Sequence, residues 1–245
     1  DTTLKLWSLD GLAERGGGAP ALAPSKATKG AAASKAAAAR AAAARAAGDG
    51  EGRPRAVATA VAHAKDINSI DVSYDESAVA SGSQDRTIKV WAVRRAGGAV
   101  TGLDERATLR GHTRAVWCVA FSPVDRVVAS ASADAAVKVW SLADNRCVRT
   151  LEGHAASVLK VLFVGGGSQI VSSGSDGLVK LWDTKSSECA ATLDGHEDKV
   201  WALDALSTES GTELLSGSAD SQMVRWRDVT LEKRAVDADD ERRRL

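Results

Sequence analysis

The chain has 245 residues, 44% of them apolar, enough to bury the core of one large domain or two small ones. Lys plus Arg and Asp plus Glu balance at 32 each, which removes any general electrostatic case for nucleic acid or a membrane surface, while leaving local patches open. Cys118, Cys147 and Cys189 are odd in number, far apart and without CxxC spacing, so they fit a reducing compartment and argue against a disulfide frame or a zinc site.

The chain opens on "DTTLKLW", without Met and without the basic-then-apolar order of a signal peptide, and no stretch reaches the length of a membrane span. Residues 1–10 read as the third strand of a unit whose first two strands are not in the sequence. The parent protein is therefore expected to continue upstream. Residues 11–55 form an insertion of low complexity, rich in Ala and Gly, with eight basic residues against three acidic ones. Its run 31–47 has strong helix propensity but buries little. Without an aromatic residue to stack on bases, it reads as a solvated surface loop more readily than as a tether for RNA phosphates.

Residues 56–228 are four repeats. His63, His112, His154 and His196 are the only histidines, spaced 49, 42 and 42 residues apart, and an Asp follows each by 22, 22, 22 and 24 residues. Asp and Trp then stand six apart in "DRTIKVW", "DAAVKVW", "DGLVKLW" and "DSQMVRW", as they do in the opening heptapeptide. The first strands are "INSIDVS", "VWCVAFS", "VLKVLFV" and "VWALDAL", and the second are "SAVASGS", "RVVASAS", "QIVSSGS" and "ELLSGS". "TIKVW" and its equivalents are third strands, while "RATLRGH", "CVRTLEGH" and "CAATLDGH" contain less regular fourth ones. Four antiparallel strands per repeat of this length describe a propeller blade, and stacked blades bury faces that a lone blade exposes. The extra two residues of the last unit fall in "STESGTEL", a surface turn. Residues 229–245 are a charged exit segment with helix-like composition.

The repeats resemble the WD-repeat family, with Gly-His at 111–112, 153–154 and 195–196 and Trp-Asp at 182–183. Ala62 replaces the glycine before His63, and Trp91, Trp140 and Trp226 lack the following Asp. The resemblance implies an all-β propeller, here four complete repeats plus the end of a preceding one, read as a fragment of a ring of seven or more blades, the alternative being a short propeller closed by strand exchange. It also implies a buried network of Asp, His, Ser and Trp in each unit. Those residues are Asp85, His63, Ser81 and Trp91, then Asp134, His112, Ser130 and Trp140. They recur as Asp176, His154, Ser172 and Trp182, and as Asp220, His196, Ser216 and Trp226. The chemistry agrees, because an indole N–H, a hydroxyl and an imidazole can pass hydrogen bonds on to a carboxylate.

The same Ser, His and Asp would be the parts of a hydrolase triad. Four copies at one spacing, each with a Trp on the hydroxyl and no GxSxG turn, argue against a unique exposed nucleophile. Histidines spread over four blades also make no metal cluster, so no catalytic residue, metal or cofactor is expected.

Recognition is expected on the face fed by the start of each first strand and by the residue before each Asp. Asn68, Trp117, Leu159 and Trp201 occupy the first position, with Gln84, Ala133, Ser175 and Ala219 at the second. Trp117 and Trp201 lie outside the buried Trp set and suit an interface anchor, or else packing under a loop. Lys65, Arg114 and Lys199 stand near them and suit an acidic partner. Neither an aromatic cage for methyl-lysine nor an arginine cluster for a phosphopeptide can be assembled.

"HAKDINSIDVS", "FSPVDRVVASASADAAVKVWSL", "LEGHAASVLKVLF", "SSGSDGLVKLW", "LDGHEDKVWAL" and "WRDVTLEKR" together are similar to the second propeller of the transducin-beta-like family of the small-subunit processome, in the U3 small nucleolar RNA-associated group. That resemblance implies a nucleolar, non-enzymatic scaffold supporting U3-dependent processing of pre-ribosomal RNA and small-subunit biogenesis. Its implied partners are other WD-repeat and helical-repeat scaffold proteins, with U3 RNA and pre-ribosomal RNA in the same particle. No membrane and no small-molecule substrate are implied. The Ala-rich insertion departs from that pattern. The alternative is an adaptor or substrate-recognition module of a ubiquitin ligase or a cytoskeletal regulator.

Overall fold

A run such as Ala78–Ser83, made only of Ala, Val, Ser and Gly, lacks long side chains and suits a strand covered on both faces. All six of its residues are buried. The equivalent runs Val127–Ser132 and Gln169–Gly174 are also almost wholly buried, and they set the pattern of the fold. The computed structural model describes residues 2–8, 55–208 and 211–227.

Strands β1 (Thr3–Ser8) and β2 (Arg55–Val61) form a two-stranded sheet. The first full blade is β3 (Ile67–Val72), β4 (Ala78–Ser83), β5 (Thr87–Ala96) and β6 (Ala99–Arg110). The second is β7 (Val116–Phe121), β8 (Val127–Ser132), β9 (Ala136–Ser141) and β10 (Arg146–Glu152). The third is β11 (Val158–Val164), β12 (Gln169–Gly174), β13 (Leu178–Asp183) and β14 (Cys189–Asp194). In the fourth, β15 (Val200–Thr208), β16 (Gly211–Ser218) and β17 (Met223–Arg227) make three strands among the described residues. Within these four blades all neighbouring strands pair antiparallel in sequence order. The insertion at 11–55, apart from Arg55, and the exit segment 229–245 lie outside the described residues.

The chain falls into two compact units, Asp1–Leu4 with Thr59–Leu245, and Lys5–Ala58. In the larger one, each blade joins its successor through an apolar seam. Ile88 and Val90 share a core cluster with Val116 and Val119 of the next first strand. Val137 and Val139 do so with Val158 and Val161, and Val179 with Val200 and Leu203. Gly82 shows how tight the seam is: a methyl group there would stand 2.8 Å from Val116 and 2.9 Å from Val119.

Two departures from the expected strands have local causes. The fourth strand of the first blade starts at Ala99 rather than near Arg106, because β5 and β6 continue as a long hairpin turning at Gly97 and Gly98, both at positive φ. This hairpin takes up the longer spacing from His63 to His112. The extra residues of the last unit lengthen the β15–β16 hairpin, which pairs out to Thr208 and Gly211.

Candidate functional site

In every blade the same four side chains meet. His112 faces Asp134 through Nδ1 at 2.9 Å and Ser130 through Nε2 at 2.7 Å, and Trp140 donates its indole N–H to the Ser130 hydroxyl at 2.8 Å. A carboxylate can only accept, so Nδ1 carries the proton, and Nε2 accepts from the serine hydroxyl. His154 bridges Asp176 and Ser172 at 2.9 and 2.8 Å, and Trp182 reaches Ser172 at 2.8 Å. His196 bridges Asp220 and Ser216 at 2.9 and 2.8 Å, with Trp226 on Ser216 at 2.8 Å. In the first blade His63 lies 3.0 Å from Asp85 and 2.7 Å from Ser81, with Trp91 donating to Ser81 at 3.0 Å.

Each Asp also ties the backbone. Asp134 accepts from the N–H of Thr113 at 2.9 Å and of Ala136 at 3.2 Å, clamping the turn before the blade to the turn between its second and third strands. Burial works against the charge of Asp134 and Asp176, yet the hydrogen bonds outweigh it and keep both carboxyl groups below their ordinary range. Burial opposes the charge of Asp85 too, but donors from Thr87, Ala64 and His63 hold it down at about 2. Burial also pushes His112 and His154 below their usual value, against the raising effect of the partner Asp. These imidazoles are neutral, hydroxyl-bound and sealed from solvent. That arrangement braces strands and leaves no free nucleophile.

The sequence pattern did not single out three further supports. Thr87 adds a hydroxyl to Asp85 at 2.6 Å, a bond that Ala136, Leu178 and Gln222 do not make at the same position of the later blades. Ser83, Ser132 and Ser218 accept from the backbone N–H of the network Asp at 3.1, 3.2 and 3.2 Å. Their recurrence two residues after the network serine was the signal available. In the third blade Gly174 takes that place, and both oxygens of Asp176 approach His154 Nδ1, at 3.1 and 2.9 Å. Glycines 111 and 153 have a different role: a methyl group on either would press on the ring of Trp140 or Trp182 at 3.1 Å.

The residues expected to meet a partner share one backbone feature. The pairing of first with second strands slips by one residue between Ile67 and Ser69, Val116 and Cys118, Val158 and Lys160, and Val200 and Ala202. Asn68, Trp117, Leu159 and Trp201 are therefore the extra residues of four β-bulges, the device that re-aims a side chain out of a sheet. Their fates differ. Asn68 is half-buried and donates its amide to the Val116 carbonyl of the next blade at 2.8 Å. Leu159 is buried, only 6% exposed, and so is removed from the expected docking face. An aliphatic side chain gains by leaving water and lacks the polar edge that suits tryptophan to a surface.

Trp117 and Trp201 are brought together edge to face, with centroids 6.4 Å apart. Trp201 stays 52% exposed, whereas Trp117 is half-buried. The indole N–H of Trp117 is the only buried side-chain polar atom among the described residues that has no hydrogen-bond partner. Lys65, Arg114 and Lys199 are exposed, and their charged ends make no ion pair among the described residues. The N–H groups of Gln84, Ala133, Ser175 and Ala219 are bonded within their own blades and are not free for a ligand.

Among the described residues no three of His, Cys, Asp and Glu converge as a metal site, and no helix is long and apolar enough to cross a membrane. Residues 55–92, 103–141, 145–183 and 187–227 match the family described as WD domain, G-beta repeat. Among curated proteins none matches the chain significantly.

Proposed function

Because the chain belongs to the WD domain, G-beta repeat family of non-catalytic propeller scaffolds, we propose that it is a protein-docking body of the nucleolar small-subunit processome. In that role it holds neighbouring WD-repeat and helical-repeat scaffold proteins in place, next to U3 and pre-ribosomal RNA, while other components fold and cut the RNA. The observation that carries the docking surface is the Trp117–Trp201 pair. Two large aromatics are aimed by β-bulges, one of them half-exposed, and Arg114 and Lys199, which make no ion pair among the described residues, stand three and two residues before them in sequence. Such a patch offers an anchor and suits an acidic rim on the partner. The assignment to the processome is supported by the stretches similar to the transducin-beta-like family, of which "HAKDINSIDVS" and "FSPVDRVVASASADAAVKVWSL" go beyond the generic repeat.

The test is gentle purification of the tagged native protein from its own cells, followed by sequencing of bound RNA and identification of bound proteins. Recovery of U3 RNA, unprocessed pre-ribosomal RNA and large WD-repeat proteins is expected. Ligase subunits or tubulin-associated factors in their place overturn the processome reading and leave the scaffold standing. The double variant Trp117→Ala, Trp201→Ala is expected to lose those partners while keeping its fold. Undiminished capture removes the tryptophan pair as the docking surface.

A further inference from the structure

The pairing of third with fourth strands slips at one place in each of the first three blades, and the slip sets three residues in the same position. Glu105 stands opposite Trp91, Cys147 opposite Trp140 and Cys189 opposite Trp182. Across the slip, Thr108 pairs with Lys89, Thr150 with Lys138 and Thr192 with Lys180. Each blade thus carries a Lys–Thr pair with one further side chain beside it.

In the first blade that side chain is a carboxylate and the set is closed. Lys89 donates to Glu105 Oε2 at 2.7 Å, and the Thr108 hydroxyl donates to Oε1 at 2.7 Å. The next two blades lack the acid. Lys138 and Lys180 donate to the hydroxyls of Thr150 and Thr192, both at 2.9 Å, and make no ion pair among the described residues. Lys180 is only 8% exposed, so its charge is nine-tenths buried without the anion that such burial ordinarily demands.

The cysteines fill the place of the acid. Cys147 is exposed, and its S–H donates to the Arg149 carbonyl at 3.2 Å, leaving the sulfur to accept from the Thr150 hydroxyl at 3.7 Å. Cys189, also exposed, does the same with the Ala191 carbonyl at 3.4 Å and the Thr192 hydroxyl at 3.6 Å. Each sulfur is one hydroxyl away from an ammonium that has no counter-ion. Exposed sulfur in an electropositive setting is where thiols are oxidised. The doubly oxidised product, a sulfinate, has two oxygens sharing one negative charge, as the carboxylate of Glu105 has.

We propose that Cys147 and Cys189 are oxidation sites for hydrogen peroxide, and that their sulfinates form with Lys138 and Lys180 the ion pair that Glu105 forms with Lys89. In the first step sulfur attacks one peroxide oxygen. The S–O bond forms as the O–O bond breaks, and the departing hydroxide leaves as water with the thiol proton. A second peroxide adds the second oxygen to the same sulfur and departs as water with the sulfenic proton. Sulfur gives up one electron pair in each step and peroxide is reduced. The sulfinic acid then releases its proton to solvent, and charge-assisted bonds from the threonine and the lysine hold the anion. An exposed thiol on the edge strand of each blade is thereby exchanged for a fixed charge.

The native protein, purified from its own cells under reducing conditions, is treated with hydrogen peroxide while folded, and its cysteine peptides are analysed by mass spectrometry. Gain of two oxygen atoms at Cys147 and Cys189 is expected, with Cys118, which is 3% exposed, left as the thiol. The double variant Lys138→Met, Lys180→Met is expected to reach the sulfinates at least about threefold more slowly. Unmodified Cys147 and Cys189, oxidation of Cys118 at the same rate, or equal rates in the two proteins overturns the inference. Cys147→Asp with Cys189→Asp sets a permanent acid on the same carbons without peroxide. That variant is expected to unfold at a higher urea concentration than the untreated parent, and to lose the gain when Lys138→Met and Lys180→Met are added. A midpoint no higher than that of the parent also overturns the inference.

Discussion

Trp117 and Trp201 stand on first strands two blades apart, β7 and β15, yet their rings meet at an interplanar angle of 86°. Both are bulge residues, so each is turned out of its sheet, and the contact leaves the Trp117 N–H buried without an acceptor. Trp140 is the opposite case, with its N–H satisfied at 2.8 Å by a buried serine. Trp117→Phe therefore removes an unsatisfied donor and is expected to change stability by less than about 1 kcal/mol, whereas Trp140→Phe leaves Ser130 short of a donor and costs about 1–3 kcal/mol. Trp140→Ala adds a cavity and costs about 3–5 kcal/mol. Urea unfolding midpoints of the three variants give the order, and a Trp117→Phe loss as large as that of Trp140→Phe would show the two indoles to be equivalent.

The third blade differs from the others at Gly174, where the side chains of Asp176 and His154 fill the space that a serine takes elsewhere. A methyl group at 174 would lie 2.6 Å from His154 Nδ1 and still closer to Asp176. Gly174→Ala is expected to destabilise the protein by about 1–3 kcal/mol through overpacking. The proton resonance of the His154–Asp176 hydrogen bond should move with it. An unshifted resonance together with an unchanged midpoint rejects the account.

Turns after the network Asp place Arg86, Ala135 and Ser221 at φ of 73°, 66° and 68°, and Gly177 at 79°. The left-handed region costs an L residue about 1–2 kcal/mol, partly offset by the loss of about 0.5–1 kcal/mol that Gly brings through chain entropy. Ala135→Gly is expected to raise stability by about 0.5 kcal/mol, as Gly177 already does for its own blade. Thermal unfolding of that variant decides the sign.

Acid should weaken the fold in two windows. His112 and His154 have folded pKa values below their ordinary 6.5, so the unfolded chain takes up protons first. Their contribution is complete above 6.5 and is lost as the pH falls below it. Asp85, Asp134 and Asp176 are held below 3.8, so their contribution is complete above that value and is lost as the pH falls toward their folded values, about 2 for Asp85. Urea midpoints taken at about pH 7.5, 5 and 3 should fall at each step. A midpoint that rises from the first to the second contradicts the burial of neutral imidazoles.

The spacing of four histidines, four Asp and four Trp marked four like repeats and their strands, and the family resemblance assigned the sixteen side chains of the network to them, because a buried polar group needs its partner at one fixed place in each repeat. Periodicity by itself thus determined an all-β stack of like blades. Tertiary structure decided what the surface does. Trp117, Leu159 and Trp201 occupy one repeat position and one type of bulge, yet Leu159 is buried, Trp201 half-exposed and Trp117 half-covered beside it. Strand spacing also assigns Met223 and Val179 the same place, although one is open and the other sealed. A repeat pattern records what each blade does for itself, through bonds between residues a fixed number apart. Exposure depends on which other blade lies against it, and no spacing within the repeat contains that.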